Sequence, residues 1–136
     1  MEMARCRAVG LTDVGRVRRE NQDCFYIDNE IGIYIVADGM GGLREGGLAA
    51  RFVVKRLPFL VAKSFNPSLG KEIPGPARVL AEIFNRLSRD FLIELGSGAG
   101  AAVVLALLRE NSVWIAHLGD SSAWRLRGKR PGRGFG

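Results

Sequence analysis

The sequence predicts an α+β fold in which strands, then a helical pair, then further strands follow one another along the chain. Three observations carry this. Short apolar runs rich in β-formers, "CFYI" and "IGIYIVA", come early and are separated by the turn-forming "DNE". A long stretch in the middle, "ARVLAEIFNRLSRDFLIEL", repeats its apolar residues at helical spacing. Two more apolar runs, "AAVVLALL" and "SVWIAHLGD", follow a glycine-rich break. A length of 136 residues is enough for one domain with a core and too short for two.

The elements are justified in order. "AVG" reads as a short strand, "TDVG" as a turn, and "CFYI" as a strand. In "IGIYIVA", Ile31, Ile33, Ile35 and Ala37 point one way while Tyr34 and Val36 point the other. Both faces are apolar, so this strand is expected to be covered on both sides. "LAARFVVKRLPFLVAKSF" has helical character, with Pro58 expected to kink or end it. "FNPSLGKEIPGP" is a loop by composition. The next helix puts Leu80, Ile83, Phe84, Leu87 and Phe91 on one face and Glu82, Arg86 and Arg89 on the other, with a proline at its start and Gly96 at its stop. "AAVVLALL", "SVWIAHLGD" and "SSAWRLR" are three strands, the first two joined by the turn "REN".

The net charge of +6 is a local matter. Residues 125–136 hold Arg125, Arg127, Lys129, Arg130 and Arg133 with no acid, which leaves +1 for residues 1–124. A basic face on a folded body would point to nucleic acid. "RGKRPGRGFG" reads instead as a solvated, disordered tail, and nucleic acid is disfavoured as a partner. The expected organisation is a domain over 1–127 and a basic Gly/Arg-rich tail over 128–136. No apolar run is long enough to cross a membrane, and the first residues lack an apolar signal core, so a cytoplasmic location and no membrane partner are expected. Cys6 and Cys24 have no metal-ligand spacing and are read as free, buried thiols.

One stretch stands out, "IYIVADGMGG", Ile33 to Gly42. A carboxylate at the mouth of a buried strand is costly unless its charge is compensated, and a metal ion would do so. Gly39, Gly41 and Gly42 would let a backbone carbonyl and a bulky ligand approach. Asp-Gly by itself is also an ordinary turn. A phosphate cradle fails in detail, since neither a Gly-Lys-Ser/Thr nor a G-x-G-x-x-G spacing is present. In "GRVRRENQD", arginines precede Asp23, and arginine forks suit phosphate oxygens, although such a run is commonly a solvated face. In "AHLGDSSAWRLR", Asp120 follows a glycine at a strand end as Asp38 precedes one, so the two could converge on one site. His117, the only histidine, is read as a packed or surface residue.

Taken together and in this order, "GRVRRENQD", "VADGMGG" and "AHLGDSSAWRLR" resemble the metal-dependent protein serine/threonine phosphatases, the protein phosphatase 2C or PPM family, with a bacterial-type spelling. The resemblance runs to about Arg127. It implies a four-layer α-β-β-α sandwich, here incomplete at the C-terminus. It also implies dephosphorylation of phosphoserine and phosphothreonine in proteins by a metal-activated water attacking phosphorus. Asp38 would bridge two Mn²⁺ or Mg²⁺ ions, with the Gly39 carbonyl on one of them. Arg18 would grip the substrate phosphate, Gln22-Asp23 would occupy the acidic pair of the family loop, and Asp120 would help hold a third, weaker ion. Oxygen donors select such hard cations, and no side-chain nucleophile is needed. The implied partners are a phosphoprotein substrate and an opposing Ser/Thr kinase.

The chain departs from the family pattern in several places. Gln22 stands for a glutamate, "GAGAA" for Gly-Thr-Thr, and Ser122 for an arginine. No acid follows Asp120, where the family has two more metal-binding aspartates. The expectation is therefore the N-terminal half of such a domain, weakly active or inactive alone. The alternative is a non-catalytic, phosphatase-like module that binds a phosphoprotein or partner.

Overall fold

The computed structural model describes residues 6–16, 21–41, 45–65, 75–109, 111–128 and 130–135. Eight elements follow in order: β1 (Asp23–Asp28), β2 (Ile33–Gly41), α1 (Glu45–Ser64), α2 (Pro76–Leu95), β3 (Ala99–Arg109), β4 (Ser112–Leu118), β5 (Ala123–Arg127) and β6 (Arg130–Phe135). The first four strands form one antiparallel sheet in the order β1-β2-β3-β4, and β5 and β6 form a separate two-stranded ladder. The α+β expectation and the mainly antiparallel sheet are met.

The β1–β2 hairpin closes as "DNE" suggested. Asp28 Oδ1 accepts the N–H groups of Glu30 at 3.0 Å and Ile31 at 3.1 Å. Gly32 then turns at φ 79°, and a Cβ there would meet the Leu108 carbonyl at 2.5 Å. The register runs from Asp28↔Ile33 back to Asp23↔Asp38. Strand β3 pairs along the other edge of β2, from Ile33↔Leu107 to Gly41↔Ala99.

One face of this sheet carries the core. Ile33, Ile35 and Ala37 of β2 and Val103, Leu105 and Leu107 of β3 are buried against Ala50, Val53, Leu57 and Val61 of α1 and Leu80, Ile83, Phe84 and Leu87 of α2. Helix α2 begins at Pro76 and stops at Gly96, which adopts φ 72° and returns its N–H to the Leu92 carbonyl at 2.9 Å. Phe52 and Phe91 meet edge to face at 5.6 Å between the helices. Arg56 donates from Nε at 3.0 Å and from Nη2 at 2.8 Å to Asp90 Oδ2.

Four expectations are corrected. Pro58 does not end the helix: α1 continues through it to Ser64, because Leu57, Leu60 and Val61 on either side are packed in the core. β2 is covered on one side only. Its other face, with Val36 at 52% exposure and Phe25 of β1 at 39%, lies open among the described residues. Residues 8–10 form no strand: the segment 6–10 is irregular and borders a cavity on that side, with Gly10 close against the Phe25 ring. Residues 130–135 are strand rather than disordered tail, because backbone pairing with β5, from Ala123↔Phe135 to Arg127↔Arg130, does not depend on apolar side chains. Of the four layers expected, the described residues provide one helical layer on one sheet and the beginnings of a second sheet in β5–β6. Cys6 is exposed, whereas Cys24 is half-buried and packed against the core.

Candidate metal centre

Strand alternation puts Asp23, Phe25 and Ile27 of β1 on the open face, together with Tyr34, Val36 and Asp38 of β2. The two aspartates are directly opposite one another at one end of the ladder. Beyond them the Gly39 N–H donates to the Gln22 carbonyl at 2.9 Å. That bond makes 22 and 39 a hydrogen-bonded position, so 23 and 38 form the alternate, non-bonded position, where opposing side chains approach most closely, at about 5 Å between Cβ atoms. The Gly39 N–H faces β1, and in an antiparallel strand the carbonyl of the same residue faces the same neighbour. Two carboxylates and a backbone carbonyl thus gather at one corner.

Two aspartates bring like charge to this corner. Two like charges opposed across a ladder repel. Asp23 Oδ1 is buried with no hydrogen-bond partner among the described residues. An unsatisfied, buried carboxylate oxygen costs free energy that a cation would remove. The donors are all oxygens, the set that suits Mg²⁺ or Mn²⁺. The residues present therefore fit a hard divalent ion. Asp38 is half-buried and in contact with a further group. The neighbouring Cys24 points to the opposite, helical face, and burial raises its thiol pKa, with Arg51 opposing and Asp23 adding to the shift.

Asp120 lies at the same end of the sheet but apart from the pair. Ala102 of β3 is the register partner of Asp38. Gly119 sits against Ala102 on the far side, at φ 87°, and a Cβ on it would meet the Ala102 Cβ at 2.9 Å. Two strand spacings, about 10 Å, therefore separate β2 from the Gly119-Asp120 turn. Asp120 is exposed there. Among the described residues no group of three His, Cys, Asp or Glu side chains is close enough to hold one ion. His117 is exposed, at the end of β4, as a surface residue. Arg18 and Gly42 lie outside the described residues. Asn21 was not singled out in the sequence, although an asparagine two residues before a strand-end aspartate is a recognisable local turn signal; it accepts the Asp23 N–H at 3.0 Å.

The described residues thus form a helix-backed antiparallel sheet with two aspartates opposed at one open corner. No protein-family model matches the chain. The serine/threonine phosphatase stp of Listeria welshimeri is 32% identical over 127 residues, covering 85% of this chain and 48% of that protein. Protein phosphatase PhpP of Streptococcus pneumoniae is 31% identical over 128 residues, covering 88% and 50%. Among solved structures, PppA of Pseudomonas aeruginosa superposes with TM-score 0.65 at 31% identity, covering 90% of this chain and 52% of its own. The catalytic domain of PstP in complex with two manganese ions superposes with TM-score 0.67 at 26% identity, covering 89% and 51%. These relatives are PPM, or protein phosphatase 2C-type, serine/threonine phosphatases of bacteria, and the chain is similar to their N-terminal half. It spans about half the length of the curated relatives it matches.

Proposed function

We propose that the chain supplies the Asp23–Asp38 part of a two-metal site that hydrolyses phosphoserine and phosphothreonine in proteins. The observation that carries this reading is the opposition of Asp23 and Asp38 across the ladder, with Asp23 Oδ1 buried and without a hydrogen-bond partner among the described residues. Asp38, with the Gly39 carbonyl, would hold Mn²⁺ or Mg²⁺, as one relative's catalytic domain holds two manganese ions. When bound, such ions supply a water of lowered pKa and charge for the phosphoryl oxygens. Asp23 would complete the acidic corner from the opposing strand, Arg18 would take the substrate phosphate, and Asp120 would help to hold a third, weaker ion from its separate turn. The substrate is a phosphoprotein made by an opposing Ser/Thr kinase, and the place of action is the cytoplasm. Among the described residues no helix is long and apolar enough to cross a membrane.

The same geometry supports weak or absent turnover by the 136 residues alone. Two divalent ions bring a charge of +4, and among the described residues two carboxylates meet here, with Asp120 about two strands away. That separation favours, as a second reading, a phosphatase-like module that binds a phosphoprotein without cleaving it. Mn²⁺-dependent hydrolysis of p-nitrophenyl phosphate, with and without Asp38→Ala, tests the first reading. We expect little turnover from the chain alone and Mn²⁺ uptake that Asp38→Ala removes. A wild-type chain that takes up no Mn²⁺ would sink the metal-site reading. Phosphopeptide affinity that is equal in EDTA and in Mn²⁺ would select the binding module.

A further inference from the structure

Asn21 stands just outside β1, and its side-chain amide works in two directions. Its Oδ1 accepts the Asp23 N–H at 3.0 Å. Its Nδ2 donates to Thr12 Oγ1 at 2.8 Å. The assignment of O and N is fixed by the partners, because a backbone N–H can only donate. β1 is an edge strand, and residue 23 is at the non-bonded position toward β2. The Asp23 N–H therefore points off the edge of the sheet, where no strand among the described residues accepts it. Asn21 supplies that acceptor through an Asx turn, and its other end ties the turn to a segment nine residues earlier. That segment has its own brace, since Asp13 Oδ1 accepts the Gly15 N–H at 3.1 Å.

From this geometry we infer that Asn21 is a positioning residue of the carboxylate pair, holding the first residue of β1 against fraying so that Asp23 stays opposite Asp38. It acts through the Asp23 backbone and is not itself a ligand. Strand ends open readily, and Asp23 is the terminal residue of its strand on the side where the ladder runs out. A ligand pair shared between two strands loses its spacing when one strand frays. The inference rests on the reading of Asp23 and Asp38 as the metal-holding pair, and the two can fail separately.

The test combines Mn²⁺ titration calorimetry with amide hydrogen exchange on the 136-residue chain. Asn21→Ala is expected to weaken Mn²⁺ binding about tenfold, as loss of an outer partner of a metal ligand does. It should also speed exchange at the Asp23 amide about tenfold, the worth of one lost hydrogen bond, while the amides of Ile35 and Leu105 keep their protection. Asn21→Asp keeps the oxygen that accepts from Asp23 and should restore that amide's protection. Thr12→Val removes only the second bond and should weaken Mn²⁺ by a smaller factor. Unchanged Mn²⁺ affinity in Asn21→Ala, or loss of protection throughout the sheet, overturns the inference. If Asn21→Ala does not fold, unaltered Mn²⁺ affinity in Thr12→Val overturns it instead. If the wild type binds no Mn²⁺, the metal reading fails, and exchange at Asp23 decides whether Asn21 holds the strand end.

Discussion

Asp23 and Asp38 face each other at the close, non-bonded position of their ladder, and one oxygen of Asp23 is buried without a hydrogen-bond partner among the described residues. Like charges at that position repel, and a buried oxygen without a hydrogen bond is costly. Asp23→Asn removes one of the two charges at nearly constant volume. It should therefore raise the melting temperature in EDTA by a few degrees, about 1 kcal/mol. The sign reverses in Mn²⁺, where the wild type gains stability by ligand linkage and the variant gains much less. Paired thermal melts with and without Mn²⁺ read both effects, and a variant less stable than wild type in EDTA would refute the repulsion. The sequence showed Asp38 as a candidate because an aspartate followed by glycines at a strand end is a local pattern. It did not show that Asp23 is the residue across from it. That depends on the register of the hairpin, set by the Asp28 turn and by Gly32 at φ 79°.

At the scale of elements, the helical pair is held by the core and by one ion-pair cluster. Asp90 receives Arg56 at 2.8 Å and Arg86 at 3.3 Å. Its pKa is lowered, first by the hydrogen bond from Arg56, with burial opposing and the charges of Arg56 and Arg86 adding. A carboxyl whose folded pKa is depressed contributes stability that is present above its unfolded value, about 3.9, and is lost as the pH falls through the lower folded value. Asp90→Asn should therefore destabilise the chain at neutral pH, and the difference from wild type should vanish under strongly acid conditions. Denaturant midpoints measured across that range check the sign; a difference that grows on acidification would contradict it. The amphipathic period of α2 was legible from its sequence, since Leu80, Ile83, Phe84 and Leu87 are its buried residues. The continuity of α1 through Pro58 was not, because the local cost of an interior proline, about 3 kcal/mol, is outweighed only by core contacts made with distant strands.

For the whole molecule, the consequential feature is the asymmetry of the four-stranded sheet. Its helical face is closed by α1 and α2, and its other face leaves Val36 and Phe25 partly in water. A cavity of about 510 Å³ lies on that side between the segment 6–10, the sheet and the start of β5. Exposed apolar surface of this kind promotes association. Val36→Thr keeps the β-branched shape on the open face, so it should lower self-association in light scattering at high concentration. Its stability should stay within about 0.5 kcal/mol of wild type, because the side chain is half in solvent. An unchanged scattering profile would show that this face does not drive association.

The sequence by itself determined the types of element, their order and the oxygen-rich chemistry of the Asp38 strand end. These are carried by periodicity, turn residues and neighbouring glycines, all of which act over a few residues. The tertiary structure alone decided which groups meet. It set Asp23 against Asp38 through hairpin register, left Asp120 about two strands away, drew residues 130–135 into a ladder with β5, and covered one face of β2 while leaving the other open. Those outcomes depend on how strands pair, across the turns of the β1–β2 and β5–β6 hairpins and between the distant segments β2 and β3. A shift of one residue in the β1–β2 register would turn Asp23 to the opposite face from Asp38, a choice that periodicity and composition do not record.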